Sequence, residues 1–373
     1  MENTTMPTLT IGHLKMKTPI IQGGMGVGIS LSGLASAVAN QGGIGVISSV
    51  ALGVLLPHPE LNFRQANIHF LREEIRKARR LTDGVIGVNI MVAMTDFNEL
   101  LECAIEEEAD IIFMGAGLPL RFPKKYSVAE IQNFKTRFAP IVSSARAAQL
   151  IFQYWEKSFG RIPDAVVVEG PKAGGHLGFK KEQIDDPAYR LEVLIPQVLE
   201  VVEKYEQKYD REIPVIAAGG IFDGADIDRF LKLGAKGIQM ATRFVATHEC
   251  DASDEFKQAY VRCAQEDITI IESPVGLPGR AIRNSFLEEV AAGQQKPFKC
   301  SWKCLKTCDY RTTPYCIADA LSNAQKGLLL KGFTFAGANA YKVDRIISVE
   351  ELFQTLQEEY REAVYSHQLA AVS

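Results

Sequence analysis

No stretch of this 373-residue chain approaches the ~18 consecutive apolar residues that a membrane-spanning helix requires, so no membrane association is expected. The first ten residues lack the basic-then-apolar pattern of a secretory signal, which makes the cytoplasm the expected location. There is no excess of positive charge. The net charge is −4, which argues against nucleic-acid binding through bulk electrostatics. The seven cysteines are an odd number in a long chain, so a disulfide framework is not expected. Two nucleotide signatures are also missing. No G-x-x-x-x-G-K-[ST] loop occurs, and the run Gly24-Met25-Gly26-Val27-Gly28-Ile29 places Ile29 where a dinucleotide fingerprint needs its third glycine.

What the chain has is alternation. Short apolar runs occur at residues 19–23, 45–49, 86–92, 111–115, 139–143, 165–169, 215–218 and 237–241. Most are solid rather than alternating, as in parallel strands covered on both faces. Between and after them the spacing predicts helices over 31–40, 63–80, 96–108, 128–137, 145–155, 191–209, 225–233 and 254–265, the third capped by Thr95 or Asp96. Eight strand–helix units in about 265 residues have the rhythm of an α/β (β/α)₈ TIM barrel. Residues 1–265 are assigned to that barrel. Residues 266–373 are read as an appended C-terminal segment, helical and irregular, packed on it. Within it, residues 267–295 read as an irregular excursion, and helices are expected over 317–330 and 349–367.

In such a barrel, chemistry sits after the C-terminal ends of the strands. The most informative of these places is Val166-Val167-Val168-Glu169-Gly170-Pro171-Lys172-Ala173-Gly174-Gly175-His176, a strand running into a glycine-rich loop that carries one histidine. Glycines let backbone approach a flat ligand closely, and a histidine moves protons near neutral pH. A loop histidine bonded only to nearby backbone is the bland alternative, and the position argues against it. Two later strand ends, at Gly219-Gly220 and Ala241-Thr242, fall where barrels often bind phosphate, and backbone N–H groups there are the natural donors.

Taken in order, the residues resemble the nitronate monooxygenase (2-nitropropane dioxygenase) family, which includes the flavin-dependent enoyl-acyl carrier protein reductase II. The matching runs are Gln22-Gly23-Gly24-Met25, Gly42-Gly43-Ile44-Gly45-Val46-Ile47, Gly87-Val88-Asn89, Ala173-Gly174-Gly175-His176, Ala218-Gly219-Gly220-Ile221 and Met240-Ala241-Thr242-Arg243-Phe244. The resemblance implies an FMN enzyme with His176 as its catalytic residue. It implies that Gly23, Gly24, Met25 and Gly175 line the flavin ring, that Asn89 hydrogen-bonds it, and that the Ser143 loop lies near it. Gly219, Gly220, Ala241 and Thr242 would hold the phosphate. Ala241 stands where glycine is common, but an alanine still donates its N–H. The substrate is expected to be a small molecule, namely an alkyl nitronate oxidised with oxygen. The alternative is NAD(P)H-dependent reduction of an enoyl thioester or a quinone, with NAD(P)H as electron donor. A non-redox barrel, such as a phosphosugar isomerase or a lyase, is the competitor from another class. Homodimer formation stays open.

Cys300, Cys304, Cys308 and Cys316 fall within seventeen residues. Four thiolates satisfy zinc or an iron–sulfur cluster, but zinc ribbons favour close pairs divided by a longer gap. On a helix the first three would share a face, as buried structural cysteines do. The expectation is therefore no metal, with these four as the candidates should there be one.

Overall fold

The computed structural model describes residues 5–55, 60–300 and 302–372, with no side-chain placement for residues 370–372. Eight parallel strands close into a barrel: β1 Ile20–Gln22, β2 Ile44–Ser48, β3 Val85–Met91, β4 Ile111–Gly115, β5 Arg137–Val142, β6 Val166–Glu169, β7 Val215–Ala218 and β8 Gly237–Met240. Each pairs with its sequence neighbour, and β8 closes on β1 through Ile238↔Ile20 and Met240↔Gln22. The apolar runs are solid because both faces are buried. The inner face packs Ile21, Ile44, Val46, Phe113, Ala139, Val167 and Ile216 into one core. The outer face packs against the helices α1 Ser32–Asn40, α2 Phe63–Leu81, α3 Phe97–Glu106, α4 Val128–Asn133, α5 Ala145–Phe159, α6 Leu191–Tyr209 and α7 Gly224–Lys232.

The first turns of these helices obey local chemistry. Asn62 and Gln65 form a reciprocal capping box on α2, and Ser127 and Glu130 form one on α4. The expected cap of α3 is only half present. Asp96 is the N-cap residue, but its carboxylate accepts from Asn67 Nδ2 at 2.6 Å instead of from its own helix. Helix α4 stops at Asn133, short of the expected 137, because the chain must turn there to enter β5 at Arg137.

An antiparallel hairpin of Leu9–Ile11 and Leu14–Met16 was not foreseen in the polar N-terminus, whose first four residues lie outside the described ones. It plugs the N-terminal end of the barrel. Leu9, Ile11, Leu14 and Met16 join the inner core there. Beside it, Asp164 is nearly fully buried and meets three guanidinium groups, those of Arg161 at 2.7 Å, Arg137 at 3.2 Å and Arg211 at 3.4 Å.

The excursion after the barrel is not irregular. Ile268–Glu272 and Pro278–Ile282 form an antiparallel hairpin, followed by a helix, Ser285–Ala291. Gly175–His176 adds to the hairpin as a third strand, with His176 opposite Gly279. Further helices occupy Ile317–Gln325 and Val349–Val372. Residues 300 and 302–308 are not helical, so the helix on which Cys300, Cys304 and Cys308 would share a face is not formed there. Side chains from distant parts of the chain cap three helix starts, two of them across the join between the barrel and the C-terminal segment. Asp251 accepts from the N–H groups of Leu31 and Leu34 at the start of α1 (2.7 and 3.2 Å). Glu359 accepts from Gly224 N–H at the start of α7 (2.9 Å), and Glu249 accepts from Val349 N–H (3.0 Å). Each contact satisfies donors that a helix cannot satisfy itself. No helix among the described residues is long and apolar enough to cross a membrane.

Candidate active site

A cavity of about 680 Å³ opens at the C-terminal ends of the strands. That volume suits a cofactor with a small substrate. All eleven residues singled out in the sequence line it: His176, Gly23, Gly24, Met25, Asn89, Ser143, Gly175, Gly219, Gly220, Ala241 and Thr242. Its floor is set by strand periodicity. Along β6, Ala165 and Val167 point into the barrel, so Glu169, two residues on, points up into the cavity. Asn89 on β3 and Gln239 on β8 reach the same space.

Backbone shape at the walls explains the glycines. A Cβ at Gly24 would collide with the Asn89 side chain, so only glycine lets the two strand ends approach. Gly219 and Gly220 sit at φ +93 and +85, conformations that side chains disfavour, and their loop faces the cavity. The one-turn helix Thr242–Val245 begins beside that loop with N–H groups that have no acceptor inside the helix. This end is the part of the cavity best built for a phosphate.

His176 lies near the end of the loop that follows β6, whose first half packs against Gly219 and Gly220. Its Nε2 lies 2.7 Å from Ser273 Oγ, at the tip of the C-terminal hairpin. Its ring meets Phe335 edge-on at 4.9 Å between centroids. Among the described residues Nδ1 has no hydrogen-bond partner, which leaves it as the nitrogen available to a ligand. Burial pushes the imidazole down from 6.5 to about 4, so it is neutral at pH 7. Burial acts in the opposite direction on Glu169, raising its carboxyl from 4.5 to about 7. Among the described residues that carboxyl also has no hydrogen-bond partner.

The histidine loop is tied to the C-terminal segment at several points. Leu177 N–H donates to Pro278 O at 2.9 Å, and Ala338 N–H to Lys172 O at 3.0 Å. The buried Arg280 donates through Nη1 to Pro171 O and, at 2.7 Å, to Ala173 O. Asn339 Nδ2 donates to Gly220 O at 2.7 Å and so fixes the second glycine loop. Val275, Leu277, Leu305, Leu321 and Phe335 give the cavity an apolar wall.

Sequence reading missed Glu169, Ser273, Phe335 and Asn339. The period of two along β6 was signal enough for Glu169. The other three lie roughly 100 to 160 residues beyond the loops they touch, and no local pattern announces such contacts.

A family-wide profile described as nitronate monooxygenase matches residues 8–109 and 97–359. Among curated relatives, a (3aS,4S,5R,7aS)-5-hydroxy-7a-methyl-1-oxo-octahydro-1H-indene-4-carboxyl-CoA dehydrogenase from Mycobacterium tuberculosis is 27% identical over 277 residues, covering 74% of this chain and 66% of the relative. The chain thus spans slightly less than two thirds of that protein's length. A probable nitronate monooxygenase from Staphylococcus saprophyticus is 26% identical over 311 residues, covering 76% of this chain and 81% of the relative. Among solved structures, FabK from Thermotoga maritima superposes with a TM-score of 0.72 at 26% identity, covering 95% of this chain and 96% of its own.

Proposed function

Because the chain belongs to the nitronate monooxygenase family, and is an oxidoreductase of that type, we propose that it uses FMN to oxidise alkyl nitronates with molecular oxygen. One observation carries the reading. A phosphate-ready end and a neutral histidine lie in one cavity, joined by a glycine-lined wall with room for a flat ring. The fit is geometric: a Cβ at Gly24 would collide with the Asn89 side chain, and the Gly219–Gly220 loop offers backbone rather than side chains. Gly219, Gly220, Ala241 and Thr242 would hold the phosphate. Gly23, Gly24, Met25 and Gly175 would line the ring, with Asn89 and Ser143 at its polar edge. When bound, the flavin supplies the redox chemistry, accepting electrons from the substrate and yielding them to oxygen.

The chain's own residues bind and orient. His176, held at Nε2 by Ser273, presents Nδ1 to the substrate as a neutral group that takes a proton or orients the anion. The apolar wall receives the alkyl part and keeps water away from it. Glu169 places a carboxyl that is easily protonated beneath the same space. We read residues 1–265 as the FMN barrel and 266–373 as the segment that completes its wall. We read the protein as a cytoplasmic enzyme with a small-molecule substrate and no nucleic-acid partner; the net charge of −4 supports the last of these. A homodimer is its candidate assembly.

The size of the apolar wall and the likeness to the CoA-ester dehydrogenase favour a second reading, an NAD(P)H-dependent reductase acting on an enoyl thioester or a quinone. An oxygen electrode separates the two. Oxygen uptake by the FMN-loaded protein with ethylnitronate and no NAD(P)H supports the first. Uptake only when NAD(P)H is present supports the second.

A further inference from the structure

The cysteine segment has a charge of its own. Residues 296–311 carry five cations, Lys296, Lys299, Lys303, Lys306 and Arg311, against one acid, Asp309, in a chain that is negative overall. Cys300, Cys304, Cys308 and Cys316 are all free thiols. They gather in space as well as in sequence. Cys304 lies within electrostatic reach of the other three, and Cys300 within reach of Cys308 and Cys316. Cys304 and Cys316 share one apolar patch with Trp302, Leu305 and Leu321. The Lys303 N–H donates to Cys300 Sγ at 3.4 Å, and Lys303 adopts φ +47 in doing so.

The grouping is too open for a single ion. No three His, Cys, Asp or Glu side chains among the described residues converge tightly enough to hold one. Tetrahedral zinc at ~2.3 Å bonds needs its sulfurs ~4 Å apart. A four-iron cluster is a larger group, held by four cysteine thiolates. Four cysteines within electrostatic reach of one another supply that ligand set.

Location adds a reason for it to be there. Cys304 lines the 680 Å³ cavity itself. Its segment is fastened to the loop after β3. Thr95 N–H donates to Cys304 O at 3.0 Å, Lys306 N–H to Ala93 O at 3.0 Å, and Lys306 Nζ to Val92 O at 2.7 Å. Met91, Ala93 and Met94 of that loop also face the cavity. We propose that Cys300, Cys304, Cys308 and Cys316 ligate a four-iron iron–sulfur cluster in the wall of the active-site cavity. The surrounding lysines offset the negative charge of a cluster bound by four thiolates.

The test is metal content, which does not depend on FMN binding or on the reaction catalysed. The full chain, purified anaerobically, should contain about four iron and four acid-labile sulfide per chain. Dithionite should bleach a broad band in the visible and produce a paramagnetic signal. Cys308→Ser and Cys316→Ser should each lose most of the iron, while Cys103→Ser, whose thiol is buried between α2 and α3, should keep it. If a ligand variant fails to fold, alkylation of the wild type decides: four cysteines should be protected until the cluster is oxidised away. Iron-free protein after anaerobic reconstitution with ferrous iron and sulfide would overturn the proposal. So would stoichiometric zinc, or a disulfide among the four.

Discussion

His176 Nε2 and Ser273 Oγ, 97 residues apart in sequence, lie 2.7 Å from each other. The bond joins a barrel loop to the tip of a hairpin outside the barrel and leaves Nδ1 without a hydrogen-bond partner among the described residues. Replacing Ser273 by alanine removes an orienting partner but no contact with the cofactor. The kcat of Ser273→Ala should fall roughly tenfold, part of the ~10²–10⁴ that a positioned acid or base supplies. FMN affinity should stay as it was, and Ser273→Thr should restore most of the rate. Steady-state kinetics beside a flavin titration reads both quantities; wild-type kcat in the alanine variant would refute the pairing's role.

His176→Ala should keep its flavin and lose turnover by about 10²–10⁴. Absorbance of the purified variant measures the first and initial rates the second. Undiminished turnover would remove His176 from the chemistry.

Glu169 and His176 should shape the pH dependence in opposite directions. The folded-state value of His176 is lowered from 6.5 to about 4, so protonation favours the unfolded chain and stability falls as pH drops through that window. That of Glu169 is raised from 4.5 to about 7, so ionisation favours the unfolded chain and stability falls as pH rises through its window. In the FMN-free protein, Glu169→Gln should therefore abolish the loss of Tm between pH 4.5 and 7 that this residue causes. Its kcat/KM profile should also lose a limb near pH 7. Calorimetry across that range checks the first expectation, and an unchanged slope would contradict it.

Gly220→Asp places a carboxylate where the phosphate is expected, and FMN affinity should drop at least about tenfold more than in Gly220→Ala. Alanine controls for the strain of a side chain at φ +85. Equal losses in the two variants, measured by fluorescence titration, would move the phosphate elsewhere.

At the other end of the barrel, Asp164 is the one carboxylate shared by Arg137, Arg161 and Arg211. Asp164→Ala leaves buried guanidinium charge uncompensated and should cost about 3–5 kcal/mol, read as a lower Tm or urea midpoint. Activity at low temperature should survive, because the site lies at the opposite mouth. A Tm within a degree of wild type would contradict this.

The barrel was legible because parallel strands buried on both faces write themselves as solid apolar runs. All eight are present, with ends shifted by two residues at most. The cavity-lining residues were legible because strand ends and glycines mark the barrel mouth. The hairpin Ile268–Glu272/Pro278–Ile282 was not. Pro278 and Gly279 read as breakers, yet Pro278 is the first residue of the central strand of a three-stranded sheet, where a proline is tolerated, and its carbonyl receives Leu177 N–H. Its first strand is only half-buried along its length and so shows no clean alternation. Ser273, Phe335 and Asn339 reach the site only through tertiary packing. Their positions depend on where the C-terminal segment docks, which no local propensity encodes.

Reduction of a flavin in this cavity by a nitronate is tested most directly by the absorption spectrum of the anaerobic, FMN-loaded protein, titrated separately with a nitronate and with NADH. Flavin bands near ~370 and ~450 nm should be bleached by the nitronate and restored by oxygen, with little change on adding NADH. No flavin bands after reconstitution, or bleaching by NADH alone, would contradict it.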